Sequence, residues 1–138
     1  MAVTPYLFFN GRCEEAIDFY KQALGAEVGM LMRFKDCPEP LPPDAIPSGS
    51  EDKIMHACMH IKGAPVMASD GCSAGEPANF AGISLSITTE DEAEGERMFD
   101  ALADGGKIEM PMEKTFFAKR FGVVADRFGV SWMIVVEP

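Results

Sequence analysis

The sequence is short of most of the side chains that do chemistry. It has only two histidines, His56 and His60, and a single tryptophan. Its four cysteines, Cys13, Cys37, Cys58 and Cys72, form no C-x-x-C pair. Structural zinc sites and redox dithiols are built from close-spaced pairs, so both are disfavoured and buried or incidental thiols are expected. Cations are also scarce, with 12 Lys and Arg against 22 Asp and Glu and a net charge of −10. Phosphate contacts need clustered cations, and the nearest thing to a cluster is Lys114, Lys119 and Arg120, so nucleic acid is not an expected partner. No apolar run approaches the roughly 20 residues that cross a bilayer. The start of the chain shows no basic region followed by a long apolar stretch. A cytoplasmic protein with no membrane partner is the resulting expectation.

What is present is the material of one globular domain. In 138 residues, 47% are hydrophobic and 25% charged, enough for a real core. Ten methionines stand out. Met is flexible and polarizable and suits either a core or a pocket for varied apolar ligands.

The chain repeats one pattern. Pro5-Tyr6-Leu7-Phe8-Phe9 is an apolar strand-like run, followed by a helix predicted from Cys13 to Gly25, with Ala16, Phe19, Tyr20, Ala23 and Leu24 forming one apolar stripe. Gly25 sits where a left-handed C-terminal residue is wanted. In the second half Ile83-Ser84-Leu85-Ser86-Ile87 leads into a helix over Glu92–Leu102, stopped near Gly105-Gly106. Thr89-Glu90-Asp91-Glu92 reads as its capping box, so that acidic run has a structural use. Strand-like segments follow each helix: 26–34, 53–62 and 65–69 in the first half, then 107–112, 122–126 and 130–136. A strand–helix–strands unit used twice suggests two half-domains facing each other across a cleft. Module one is expected at about 1–70, a linker at 71–79 and module two at 80–138. Residues 35–52, with five prolines, cannot form a regular element and are either a lid or a tolerated insertion.

Several segments together resemble a known family. They are Phe9-Asn10-Gly11 with Glu15-Ala16-Ile17-Asp18-Phe19-Tyr20, then Met67-Ala68-Ser69-Asp70, and the closing Thr115–Gly122 run with Asp126-Arg127-Phe128-Gly129-Val130-Ser131-Trp132. This pattern resembles the PhnB-like branch of the glyoxalase/bleomycin resistance/dioxygenase (vicinal oxygen chelate) superfamily, which also carries the label 3-demethylubiquinone-9 3-methyltransferase-like. The resemblance implies an α+β fold of two paired βαβββ modules with cupped mixed or antiparallel sheets, a pocket inside the cup, and a homodimer. The methyltransferase label does not suit the residues. A typical methyltransferase holds its cofactor at a glycine-rich turn after a strand of a parallel sheet, and no such cluster is present.

Active members of the superfamily hold a divalent metal through His and Glu. Here the resemblance puts Pro5, Met67, Gly82 and Met133 at the ligand-like positions, a poor set for a hard cation. His56 and His60 share a strand face but lie about 13 Å apart at roughly 3.3 Å per residue, too far to bind one ion together. No cofactor or metal is therefore expected. The pocket would be lined by Leu7, Phe9, Met67, Ser84, Ser86, Ser131 and Met133, with Phe116, Phe117 and Arg120 at its mouth and Arg120 orienting an anionic or carbonyl ligand. The best available acid–base couple is His56 with Asp70. Two functions stay open. One is a metal-free small-molecule binder, and the other is a lyase-, isomerase- or dioxygenase-type enzyme with a relocated metal or acid–base group.

Overall fold

The computed structural model describes residues 2–39, 49–71 and 76–138. Cys72 and residues 40–48 of the proline-rich stretch lie outside the described residues. The described chain is α+β and forms two compact units, residues 1–78 and 79–138. The first contains β1 (Tyr6–Phe8), α1 (Cys13–Leu24), β2 (Glu27–Arg33), β3 (Ile54–Ile61) and β4 (Ala64–Ser69). The second contains β5 (Ser84–Thr89), α2 (Glu92–Ala103), β6 (Lys107–Glu113), β7 (Arg120–Ala125) and β8 (Ser131–Val136). Each unit builds a four-stranded mixed sheet of the same topology, β1-β4-β3-β2 and β5-β8-β7-β6. In both, the first strand pairs in parallel with the last, and the remaining pairs are antiparallel. The repeat legible in the sequence is thus a repeat of topology.

The helix stripes decide which sheet face is dry. In α1 the buried residues are Cys13, Ala16, Ile17, Tyr20, Ala23 and Leu24. Ile17 and Cys13 join the stripe, while Phe19 lies at its margin with its ring against the edge of Tyr20. The stripe faces Leu7, Ala57, Met59, Val66 and Ala68, all buried. Each large apolar side chain withdrawn from water here stabilises the unit by about 1.5–3 kcal/mol. Gly25 ends α1 with φ 70°, and the amides of Gly25 and Ala26 return to Lys21 and Tyr20. In the second unit α2 sits close to its sheet because two contacts are glycine. A Cβ on Gly95 would lie 2.7 Å from Val136, and one on Gly122 would lie 2.7 Å from Phe99.

Four local expectations change. The cap of α2 is Asp91, whose carboxylate accepts from the Glu94 amide, because Thr89 is still in β5 and its hydroxyl instead accepts from the Asp91 amide. The β3–β4 turn is Lys62-Gly63, both with positive φ as a two-residue hairpin turn of the primed kind requires, and β4 starts at Ala64. Residues Phe34–Asp36 form a single 3-10 turn in a stretch read as irregular. Strand β7 starts at Arg120, two residues earlier than expected.

The N-terminus of α1 has no cap of its own: Arg12 offers no side-chain hydrogen bond there. A buried carboxylate from β4's end replaces it. Asp70 Oδ1 accepts from the amides of Gly11 and Cys13, both at 2.8 Å, and Oδ2 accepts from the Ile54 amide at 2.8 Å. The Asp70 amide donates to the Ile54 carbonyl at 2.8 Å. One side chain therefore joins the β1–α1 turn, the start of β3 and the end of β4. Replacing it orphans three backbone donors, each costing about 1–3 kcal/mol when buried. Asp70→Ala is expected to lower the unfolding free energy by about 3 kcal/mol or more in urea denaturation at neutral pH. An unchanged midpoint would contradict this role.

Candidate functional site

Strand alternation leaves each sheet with a second face that no helix covers. In the first unit the register pairs Tyr6 with Met67 and Met67 with Cys58, placing these three on one face. Phe8 and His56 lie on that face two residues along. Met30 and Met32 extend it onto β2, opposite Cys58 and His56. Tyr6 and Phe8 are 39% and 52% exposed, whereas Leu7 and Phe9 are 6% and 2% exposed. The expected lining by Leu7 and Phe9 is thus off by one residue: both belong to the core under α1, and Tyr6 and Phe8 stand on Met67's side. The five-residue apolar run around them gave no alternation from which to read the face.

This open face carries an ordered polar pair. Tyr6 Oη and His56 Nδ1 are 2.8 Å apart, and their rings are tilted at 37° with centroids at 5.6 Å. Tyr6 also stacks on Phe8, centroids 5.0 Å apart. Burial pushes the Tyr6 phenol above its usual range, against a hydrogen bond to Ser69 that lowers it. The expected His56–Asp70 couple does not form, because His56 is engaged by Tyr6 and the Asp70 carboxylate is held by three amides. Tyr6 was the residue missed; its only advance signal was a polar tip inside an apolar strand.

In the second unit the corresponding face holds Ser84, Ser86, Ser131 and Met133, as expected from their parity. Ser84 pairs with Ser131 and Ser86 with Met133, and the Ser84 and Ser131 hydroxyls are 2.7 Å apart. Phe117 stands over this side at one end, its ring 5.2 Å from Phe121 in an edge-on contact. Phe116 is fully exposed and packs edge-on against Phe117. Trp132 belongs to the core, its indole N–H donating to the Asp126 carboxylate at 2.9 Å.

Arg120 is not at this face. Its β8 partner is Val136, fully buried on the helix side, and its Nη2 lies 2.6 Å from Glu96 Oε1 of α2. Its Nε is buried without a hydrogen-bond partner among the described residues. The expected orienting clamp is therefore a strut between α2 and β7. Sequence spacing could not reveal this, because the partner lies on a separate element.

The first unit also has a polar cavity of about 390 Å³, lined by Glu14, Arg33, Lys35, Asp52, Lys53 and Asp70 among others. Each of these charges already has a partner. Arg33 pairs with Glu14, Lys35 with Asp52 at 2.9 Å, and Lys53 donates to the Gly11 carbonyl at 2.9 Å. Arg33 holds the Glu14 carboxyl below its usual range, and Lys35 does the same for Asp52. The cavity is a closed set of ion pairs around the Asp70 tie. Burial, reinforced by the nearby Asp70 carboxylate, pushes the Cys13 thiol far above its normal range and leaves it inert.

Two-sheet architecture and sequence now place the chain. The profile of the family described as 3-demethylubiquinone-9 3-methyltransferase matches residues 1–135, and the chain belongs to that family. It is 41% identical to protein YjdN of Escherichia coli K12 over 99% of this chain and 95% of that protein. Among solved structures it is similar to protein PA1353 of Pseudomonas aeruginosa, with TM-score 0.85 and 42% identity over 99% and 98% of the two chains. A PhnB protein from Bacillus cereus, which carries the same methyltransferase description, gives TM-score 0.79 and 31% identity over 99% of each chain. The fold alone is shared with a glyoxylase/bleomycin resistance protein/dioxygenase domain from Frankia, TM-score 0.68 at 13% identity over 99% and 94%. The chain is thus a PhnB-like member of that family, with the fold found in the glyoxalase/bleomycin resistance/dioxygenase superfamily.

The divalent metal typical of active members of that superfamily does not fit the residues. The ligand-like positions Pro5, Met67, Gly82 and Met133 supply no carboxylate or imidazole. Among the described residues no three His, Cys, Asp or Glu side chains come together as a cation site.

The placement of Arg120 has a direct test. Its ion pair is about one-third exposed on each side, which limits it to roughly 0–1 kcal/mol. Arg120→Ala is expected to cost about 1 kcal/mol in urea denaturation. In a thermal-shift ligand set it is expected to leave the ranking of anionic against neutral ligands unchanged. A selective loss of anionic ligands would return Arg120 to the binding site.

Proposed function

We propose that this protein is a metal-free binder of small, partly apolar molecules, held against the open faces of its sheets. The observation that carries the reading is the composition of those faces. The first offers Tyr6, Phe8, Met30, Cys58 and Met67 around a Tyr–His hydrogen bond. The second offers Met133 beside Ser84 and Ser86. Apolar and sulfur-bearing surface supplies most of the affinity for a small ligand, and a few fixed polar groups orient it. Exposed aromatics gathered on one sheet face, rather than scattered singly, are the usual mark of a binding surface.

Methyl transfer, the activity in the family description, finds less support. Both sheets are mixed, and neither is the doubly wound parallel kind that carries a cofactor at a glycine-rich turn. The β1–α1 turn has one glycine, and its amide is already bonded to Asp70. Protein purified without chelators is expected to contain far less than one Zn, Ni, Mn or Fe per chain by elemental analysis. Ligand-induced thermal shifts are expected to survive EDTA. About one tight metal per chain, lost on substituting His56 or Glu137, would replace this reading with the metal-dependent enzyme.

The working form is proposed to be a homodimer. The first sheet ends in β2, where Met30 and Leu31 are 44% and 37% exposed, and the second ends in β6, where Ile108 and Met110 are 49% and 51% exposed. Open strand edges bearing apolar side chains are normally covered, and two-fold pairing is the common way. Light scattering is expected to give twice the 15.0 kDa chain mass. A 15.0 kDa particle across a wide concentration range would overturn the dimer.

A further inference from the structure

We propose that the Tyr6–His56 pair is the orienting handle of the ligand site on the first sheet, and that its preferred ligand is a flat apolar molecule bearing a neutral carbonyl oxygen. This rests on the small-molecule reading above and specifies its chemistry. A neutral imidazole has one N–H and one acceptor nitrogen, and the bond made by one nitrogen decides where the proton sits. Tyr6 Oη lies 2.8 Å from Nδ1 of His56. A phenol can donate or accept, and Ser69 also bonds to Tyr6; in the arrangement proposed the phenol donates to the ring and Nδ1 accepts. That arrangement puts the ring N–H on Nε2, which makes no hydrogen bond of its own among the described residues. The pair thus presents one directed N–H donor.

The surroundings define what that donor would meet. Tyr6 and Phe8 stack at 5.0 Å with an interplanar angle of 26°, forming a nearly continuous aromatic floor. Met67 and Cys58 border it in register with Tyr6. Such a floor favours a planar apolar body, since ring-on-ring and sulfur-on-ring contacts both add to simple burial. The face positions Tyr6, Phe8, His56, Cys58 and Met67 include no Lys or Arg, and the chain carries a net charge of −10. A carboxylate would find one neutral donor and a repulsive field, whereas a carbonyl needs only the one donor. The choice therefore falls on the carbonyl.

The test uses the full chain, labelled with nitrogen-15 in histidine, and two probes of one shape. 2-Acetylnaphthalene carries the acceptor oxygen, and 2-ethylnaphthalene lacks it. In the unliganded native protein, nitrogen–proton correlation spectra at pH 8 are expected to show His56 as the Nε2–H tautomer. The acetyl compound is expected to bind about threefold to tenfold more tightly than the ethyl compound and to shift the Nε2 resonance, consistent with the net worth of one hydrogen bond. His56→Phe is expected to abolish that preference while keeping the ethyl compound's affinity. Tyr6→Phe is expected to loosen the tautomer and reduce the preference. An Nδ1–H tautomer in the native protein, or equal affinity for the two probes, overturns the handle while the binding reading stands. Failure of both probes to bind overturns the ligand reading of this face, and the handle with it. The tautomer measurement needs no substitution, so a variant that misfolds does not remove the test.

Discussion

The first unit depends on one buried carboxylate. Asp70 receives three amide protons from two distant stretches of chain, and its own amide closes a fourth bond to Ile54. Helix α1 begins against it because no residue at the helix start supplies a cap. Strand β1 ends beside it, with the Phe9 amide donating to the Ser69 carbonyl at 2.9 Å. A slip of one residue in a strand turns every side chain to the other face. By tying the ends of β1, β3 and β4 together, Asp70 holds Leu7 under the helix and Tyr6 on the opposite side. The candidate binding face is therefore a consequence of an electrostatic tie on the other side of the sheet. A charged acceptor suits this task, since bonds to an ionised group are stronger than neutral ones and leaving the donors unpaired is costly.

The architecture was legible wherever periodicity and punctuation agreed. Gly25, with φ 70°, stands at the helix end assigned to it, and the two helices fall within about a residue of their expected ends. The face assignments were less legible, for a physical reason in each case. Ser84, Ser86 and Met133 alternate with Leu85, Ile87, Trp132 and Ile134, so contrast in the sequence revealed their side. Pro5 to Phe9 has no contrast, and only tertiary contact with α1 fixes which residues are inside. Arg120 was misplaced because a guanidinium near aromatics in sequence suits a ligand clamp and a strut equally well. Glu96, which decides the matter, sits 24 positions earlier in the chain.

The two units share a topology but solve their local problems differently. In the second, a carboxylate again sits buried at a strand end, but it serves its own turn. Asp126 accepts from the amides of Phe128 and Val130 and from the indole of Trp132. That arrangement closes the β7–β8 turn and seats the largest side chain of the core. It needs no help from a distant segment, because α2 brings its own cap in Asp91. The first unit, without such a cap, depends on long-range closure, and the cavity of ion pairs around Asp70 is part of it.

This division explains why the charged cavity makes the poorer candidate for a ligand, although it is the more conspicuous hollow. Each of its cations is matched to a carboxylate or a carbonyl, so an incoming ion would have to break a pair to make one, for little net gain. The open face of the first sheet has the opposite balance. Its aromatic and sulfur-bearing groups lose water on contact and nothing else, and in the arrangement proposed its Tyr6–His56 pair leaves one donor for a ligand. Recognition there would come from area and one directed bond rather than from charge or a metal. A site of that kind discriminates weakly between apolar bodies of similar shape, because a methylene more or less changes affinity by only about 1–3 kcal/mol. It discriminates by what stands opposite the donor. On the proposed reading, with Pro5, Met67, Gly82 and Met133 at the ligand-like positions, the chemistry of this fold would shift from polarising a substrate toward holding one.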